Sequence, residues 1–168
     1  MQTVERSSVV GLPAKAMWKR ATSPEGINDE LRPWLRMTLP SNLRGTTIET
    51  APLGEVAGRS WILLFGVLPV EYDDLRLVEL EPGRRFLERS SMLTLRLWQH
   101  ERVVEPLSEG SCRITDRLGF ELRAGLAWVP GAGRLVRAIV GALFRHRHKR
   151  LSRITPPEAS PTATFPAG

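Results

Sequence analysis

The stretch Arg96–Glu121 constrains the fold of this chain more than any other part of it. Its apolar and polar residues alternate, which is typical of β-strands because side chains two residues apart share one face of a strand. The alternation is interrupted at Pro106-Leu107-Ser108-Glu109-Gly110, where proline and glycine favour a turn. The stretch therefore predicts two antiparallel strands joined by a short loop.

One face of the second predicted strand is apolar and is expected to face the core. It carries Cys112, Ile114, Leu118, Phe120 and Leu122. Asp116 lies within this face, and a buried carboxylate needs a basic neighbour. A loop centred near Ser108 places His100 opposite Asp116, whereas a slip of two residues places Arg102 there. Either register gives the acid a basic partner.

A long helix is predicted from Arg134 to about Ser152, after a glycine-rich turn. Its apolar residues recur at helical spacing and form a single stripe: Leu135, Val136, Ile139, Val140, Leu143 and Phe144. Such a stripe has to be buried, and the apolar face of the strands is the large surface available for it.

The remaining chain predicts one further strand, two short helices and a meander of strands. The first strand covers residues 3–10, and the helices cover Ala14–Ala21 and Pro24–Leu31. Residues 32–58 have no clear pattern, although 34–39 fits a strand or a loop and 46–50 fits an edge strand. Later strands are predicted over residues 60–68 (ended by Pro69), 74–81, 85–90, 94–105 and 111–123. Six or seven antiparallel strands are expected in total.

The length of 168 residues is sufficient for one domain with a real core. We assign residues 1–153 to this domain and predict that the proline-rich residues 154–168 are a disordered tail. The longest apolar run, Trp61–Val70, is about half of the ~20 residues that a membrane-spanning helix needs. The N-terminal residues do not resemble a signal peptide and Cys112 is the single cysteine, so a reduced, cytoplasmic protein is expected.

The net charge of +6 raises the question of an anionic partner. Most of the basic residues are interleaved with acidic ones, so no nucleic-acid partner is expected. The one dense run, residues 145–150, suits the C-terminus of a helix, where exposed cations contribute about 0.3–1 kcal/mol each. Because of this run, an alternative function is peripheral contact with an anionic membrane or with a protein partner.

The sequence also contains the run W-x-H-x-R-x-V-x-P, a short loop, T-D-R-x-x-F and then the long helix. It resembles the SRPBCC (START-like, helix-grip) superfamily, especially its polyketide cyclase/dehydrase-like and bacterial ligand-binding members, over residues 3–152. The residues that carry the resemblance are Trp98, His100, Arg102, Val104, Pro106, Asp116, Arg117 and Phe120. The resemblance implies an α+β helix-grip fold. In this fold a curved sheet of six or seven antiparallel strands wraps around the C-terminal helix, two short helices follow the first strand, and an apolar cavity lies between sheet and helix.

The function implied by the resemblance is binding of a hydrophobic or amphipathic small molecule, such as a lipid, an isoprenoid or a polyketide-like compound. The expected cavity walls are Trp34, Trp98, Leu118, Phe120, Ile139 and Leu143. His100, Arg102 and Asp116 are expected to orient the ligand. Arg96 and Arg102 are candidates for anchoring an anionic end of the ligand, or alternatively extend to the sheet edge.

Whether the protein is an enzyme is left open by the sequence. In a cyclase or aromatase, His100 would be the acid/base and Asp116 would fix its tautomer. The alternative is an inert polar pair that bridges two strands. The sequence has no G-x-S-x-G, P-loop or G-x-G-x-x-G motif, and His146 and His148 are two residues apart on the predicted helix. No metal site and no cofactor are therefore expected.

Overall fold

The computed structural model describes residues 1–40, 43 and 47–154. Seven strands lie in these residues: β1 (Gln2–Val10), β2 (Leu35–Met37), β3 (Val56–Leu64), β4 (Leu68–Glu81), β5 (Arg85–Met92), β6 (Leu95–Ser108) and β7 (Ser111–Leu122). They form one antiparallel sheet in the order β1-β7-β6-β5-β4-β3-β2. The sheet curls into a half-barrel.

Four helices accompany the sheet in the described residues: α1 (Ala14–Ala21), α2 (Pro24–Leu31), α3 (Ala124–Ala127) and α4 (Ala132–Leu151). The long helix α4 packs against β1 and α2. This arrangement is the α+β helix-grip architecture, and that prediction is confirmed. The predicted tail begins at residue 154, and its residues 155–168 lie outside the described part of the chain. No helix in the described residues is both long enough and apolar enough to cross a bilayer.

Local sequence signals determine the two short helices. Pro13 precedes α1, and Ser23 caps α2 by accepting a hydrogen bond from the Gly26 N–H at 3.1 Å. Pro24 occupies the first turn of α2, where its missing N–H leaves no hydrogen bond unmade. Both helices have the predicted bounds.

The boundary between β3 and β4 differs from the prediction. The turn lies at residues 65–67, where Phe65 and Gly66 have φ angles of 51° and 77°. Pro69 was expected to end a strand, but it lies inside β4 opposite Leu63, next to a register shift. An irregular position of this kind tolerates proline because one ladder hydrogen bond is already lost.

Residues 32–58, for which the sequence has no clear pattern, contain the short strand β2 among their described part. Strand β2 pairs with β3, and the Asn28 side chain holds it through hydrogen bonds of 2.7 and 3.0 Å to the backbone of Met37. The edge strand predicted over residues 46–50 is wrong for the described residues Ile48–Thr50, which form a 3-10 turn.

The register of β6 and β7 follows the slipped alternative. Arg102 lies opposite Asp116, and His100 lies opposite Leu118. The register predicted from a loop centred near Ser108, which pairs His100 with Asp116, is wrong by two residues. The strands continue through Pro106 to a tight turn at residues 109–110, and a register shift at Pro106–Ser108 absorbs the difference.

The buried face of α4 is rotated relative to the predicted stripe. Leu135 and Ile139 are 62% and 57% exposed, so these two predictions are wrong. The buried residues are Ala132, Val140, Gly141, Phe144, Arg147, His148 and Leu151. Two of these are basic, and their partners, described below, explain why this face is turned inward.

We predict that Leu151→Ala lowers the free energy of unfolding by about 2–5 kcal/mol, because Leu151 is fully buried in the core cluster with Val10, Met17 and Ile114. The matched control is Leu135→Ala on the exposed side of the same helix, which should change stability by under about 0.5 kcal/mol. Urea unfolding at pH 7 measures both values. Equal losses in the two variants would contradict the assigned helix rotation.

Candidate functional site

A cavity of about 150 Å³ lies between the concave side of the sheet, α2, the described residues 38–39, 43, 47–48 and 51, and α4. Most of its lining is apolar and includes Leu31, Ile62, Leu75, Phe86, Met92 and Phe144. Strands β3 to β6 contribute side chains that alternate towards it, and α4 closes it with Leu143, Phe144 and Arg147. The cavity therefore occupies the position that the helix-grip architecture implies.

Four of the predicted site residues line this cavity: Trp98, His100, Arg102 and Leu143. The other five lie elsewhere. Trp34 is half exposed and its ring lies 6.0 Å from that of Phe65, while Ile139 points to solvent. Leu118 and Phe120 are buried in the core cluster beside the cavity, and Asp116 is fully buried behind it.

Arg102 is fully buried between two carboxylates. Its Nε and Nη2 donate to Asp116 at 2.7 and 2.8 Å, and its Nη1 and Nη2 donate to Glu30 at 2.9 Å each. Both contacts are bidentate, which is the strongest geometry available to an arginine. The expected anchoring of an anionic ligand by Arg102 is therefore not supported. Arg96 is 65% exposed and pairs with Glu121 instead.

Helix α4 adds two further bases to this buried network. The Nε and Nη2 of Arg147 donate to Oε2 of Glu30 at 3.0 and 2.7 Å. His148 lies between Asp116 Oδ2 and the Ser8 hydroxyl, with each contact at 2.9 Å. The two carboxylates and two guanidinium groups balance in charge, as burial requires.

The network also shifts the pKa values of its two acids, Asp116 and Glu30. Burial alone would raise the pKa of Asp116, but the charge and hydrogen bonds of Arg102, together with His100, hold that pKa well below its ordinary value. Burial likewise opposes ionisation of Glu30, and the charges of Arg102 and Arg147 outweigh it and lower its pKa. Both acids are therefore carboxylates in the folded protein at neutral pH.

His100 connects this network to the cavity. Its Nε2 lies 2.8 Å from Asp116 Oδ1, and its Nδ1 lies 3.9 Å from Glu88 Oε2. The rings of Phe86 and Phe144 each approach the imidazole edge-on, with centroids 5.4 Å away. The ring is thus fixed by one hydrogen bond and two aromatic contacts, although Asp116 is not its partner in the β-ladder.

A second acidic group lines the cavity on the neighbouring strands. Asp73 on β4 and Glu88 on β5 are 4% and 7% exposed. The Ser90 hydroxyl donates to Glu88 at 2.6 Å. Burial, followed by the charge of Glu88 and hydrogen bonding to it, raises the pKa of Asp73 well above its ordinary value. We call Asp73 and Glu88 the acid pair.

Glu30, Arg147 and the acid pair were not predicted from the sequence. The predicted strand 85–90 carries a signal for Glu88, which shares a face with Phe86. The predicted strand 74–81 begins one residue after Asp73, whereas the longer β4 places Asp73 on one face with Leu75 and Leu77. An acid in an otherwise apolar strand face is also the feature that marks Asp116 as a buried carboxylate. Glu30 lies on a short amphipathic helix and carries no comparable signal.

Metal and thiol chemistry find no structural basis in the described residues. No group of three His, Cys, Asp or Glu side chains there is placed to hold a metal ion. Cys112 is fully buried, and burial raises the pKa of its thiol, which makes it a poor nucleophile.

A family model described as "Domain of unknown function (DUF8410)" matches residues 8–155. No curated protein matches the sequence. The Zhui aromatase/cyclase from Streptomyces sp. R1128 is similar in structure, with a TM-score of 0.62 and 18% identity over 89% of this chain and 90% of that chain.

Two further solved structures are similar. A START superfamily protein from Mycobacterium smegmatis has a TM-score of 0.58 and 12% identity, covering 89% of this chain and 94% of that chain. The di-domain ARO/CYC BexL from the BE-7585A biosynthetic pathway has a TM-score of 0.61 and 18% identity, covering 90% of this chain and 45% of that chain. At these identities the likeness concerns the fold, and the predicted resemblance to the SRPBCC superfamily is confirmed at that level.

We predict that Asp116→Asn lowers the free energy of unfolding by about 3–5 kcal/mol at pH 7, because Arg102 loses the charge of a buried partner. The control is Glu5→Gln, which breaks an exposed pair with Arg117 and should cost under about 1 kcal/mol. Urea unfolding of both variants measures the difference.

The pH dependence of stability has a definite sign. The folded pKa values of Asp116 and Glu30 are lowered, so their stabilisation is complete above the unfolded values of about 4 and is lost as the pH falls below them. Between pH 5 and pH 3 the wild type should therefore lose more stability than Asp116→Asn. Parallel pH profiles would contradict the ionised network.

Proposed function

The chain belongs to the DUF8410 family, and we propose that it binds a hydrophobic or amphipathic small molecule in the cavity between its sheet and α4. The observation that carries this proposal is the cavity itself. Protein interiors are close-packed and rarely leave voids larger than a water molecule. A volume of about 150 Å³ with a mostly apolar lining is unfavourable for water and suits an apolar ligand.

The volume also limits the size of the ligand. An engineered apolar cavity of similar volume accommodates benzene. The enclosed part of the ligand is therefore about the size of one six-membered ring or a short branched alkyl group. A longer lipid or polyketide-like molecule fits only with part of its length outside these walls. Trp98, Phe144 and Leu143 supply the apolar contacts, and His100 is among the polar groups within reach.

Catalysis of a cyclase type is a second candidate, and the position of His100 favours it. The imidazole lines the cavity and is held by a carboxylate at 2.8 Å, an arrangement that suits a general base. A cyclase of this kind removes a proton from carbon next to a carbonyl group. The structural likeness to an aromatase/cyclase is compatible with this role.

Membrane contact through the basic end of α4 has less support. Arg147 and His148 are buried in the ionic network, and Arg150 pairs with Asp29 at 3.0 Å. Arg145 and Lys149 are the exposed cations of that run. Two exposed cations give only weak attraction to an anionic surface, since each contributes about 1 kcal/mol.

For the binding function, we predict that toluene binds to the wild-type protein and that Leu143→Trp weakens this binding at least tenfold by filling the cavity. Leu135→Trp, on the exposed side of α4, is the matched control and should leave binding unchanged. NMR titration of the Trp98 indole signal gives the dissociation constants. Absence of toluene binding to the wild type, or equal effects of the two variants, would contradict the proposed site.

For catalysis, a small 1,3-diketone such as pentane-2,4-dione serves as the carbon acid. If His100 is the base, the protein accelerates exchange of the central C–H for deuterium, and His100→Gln abolishes the acceleration while toluene still binds. A protein that binds toluene and leaves the exchange rate unchanged is a binding protein without this activity. Proton NMR in deuterated buffer measures the exchange.

A further inference from the structure

We infer that the cavity selects an apolar ligand that carries a hydrogen-bond donor, a hydroxyl or a protonated amine, and that it rejects carboxylates. This inference rests on the proposed binding function and specifies the chemistry of the ligand. It is based on the acid pair and on the ion pairs that already occupy the nearby cations.

The first observation is an unpartnered buried oxygen. Oδ1 of Asp73 is inaccessible to solvent and has no hydrogen-bond partner among the residues that the structure describes. The side chain is 4% exposed and lines the cavity. A buried polar atom without a partner is unfavourable, and native proteins normally satisfy such atoms. The Asp73 side chain lines the cavity and its terminal torsion is soft, so a small rotation of the carboxyl group would turn this oxygen towards a donor on a bound ligand, which would supply the missing hydrogen bond.

The second observation is the nature of the neighbouring groups. Glu88 lines the same cavity, and its Oε1 accepts from Ser90. Its Oε2 lies 3.9 Å from Nδ1 of His100, beyond hydrogen-bond distance. The polar wall opposite α4 therefore presents carboxyl oxygens, which accept hydrogen bonds from a ligand. A ligand carboxylate placed there would add a third acidic group to the acid pair in a medium of low dielectric constant, which disfavours its ionised form.

The third observation is that the cations near the cavity are already paired. Arg102 divides its guanidinium between Glu30 and Asp116, and Arg147 donates to Glu30. His100 directs Nε2 to Asp116. Within the described lining, no arginine is left with its charge uncompensated by a carboxylate, so an anionic ligand gains no strong partner. The ionic network thus makes the cavity selective for donors.

The test uses four probes built on one ring that the cavity can enclose: toluene, benzyl alcohol, benzylamine and benzoate. We expect benzyl alcohol and benzylamine to bind at least tenfold more tightly than toluene, and benzoate to bind at least tenfold more weakly. Isothermal titration calorimetry with the full chain measures the four dissociation constants at pH 7.

Variants of Asp73 test its contact with each of the two donor groups, the hydroxyl group and the protonated amine. Asp73→Leu removes the acceptor and should give toluene and benzyl alcohol equal affinity. Asp73→Asn retains a carbonyl acceptor of the same size, so it should preserve the preference for benzyl alcohol. A bound ammonium group favours the ionised form of Asp73, and Asn cannot ionise, so the variant should bind benzylamine at least tenfold more weakly. The control is Asp74→Asn, since Asp74 pairs with Arg59 on the opposite strand face and should not affect any probe.

Two results would overturn the inference while leaving the binding function intact. One is toluene binding as tightly as the alcohol and the amine, and the other is benzoate binding most tightly of the four. Failure of all four probes to bind would overturn the inference together with the proposed function. If Asp73→Leu does not fold, the comparison between Asp73→Asn and Asp74→Asn still decides whether Asp73 contacts the ligand.

Discussion

The bidentate contacts of Arg102 with Glu30 and Asp116 are the interaction on which the rest of the structure depends. They join β6 to α2 and β7, and Arg147 extends them to α4. An unpaired buried charge is strongly destabilising, so each charged group of this network can be buried only when its partners are in place. Replacing a buried salt network by apolar groups often changes net stability little, but a rotation of α4 that moved Arg147 away from Glu30 would leave a buried charge unpaired. The network therefore disfavours other rotations of α4 and other positions of α2 over the sheet.

The same network determines the chemistry of the cavity. A helix-grip cavity bordered by two arginines would ordinarily attract an anion. Here those charges are neutralised before any ligand arrives, and His100 is turned towards Asp116. What remains for a ligand is an apolar enclosure of about 150 Å³ with Asp73 and Glu88 on one wall. The ligand preference proposed here depends on these side chains and not on the fold, which is why fold alone does not identify function.

The predictability of this structure from sequence depended on the range of the interactions. The helices Ala14–Ala21 and Pro24–Leu31 were predictable because caps and prolines act locally. The anomaly of Asp116 on an apolar face correctly indicated a buried acid with basic partners. The register was not predictable from loop centring, since a shift near Pro106 displaced it by two residues. The rotation of α4 was not predictable either, because it depends on Glu30, which lies far away in sequence and has no pattern of its own.

A crystal structure of the protein with benzyl alcohol shows directly whether the ligand donates to the acid pair. We expect one molecule in the cavity, with its ring between Trp98 and Leu143 and its hydroxyl oxygen about 2.6–3.2 Å from a carboxyl oxygen of Asp73. We also expect Arg102 to keep both carboxylate contacts when the ligand is bound. A hydroxyl group directed to Arg102, with Glu30 or Asp116 displaced, would contradict the claim that the ionic network is closed and that the acid pair receives the ligand.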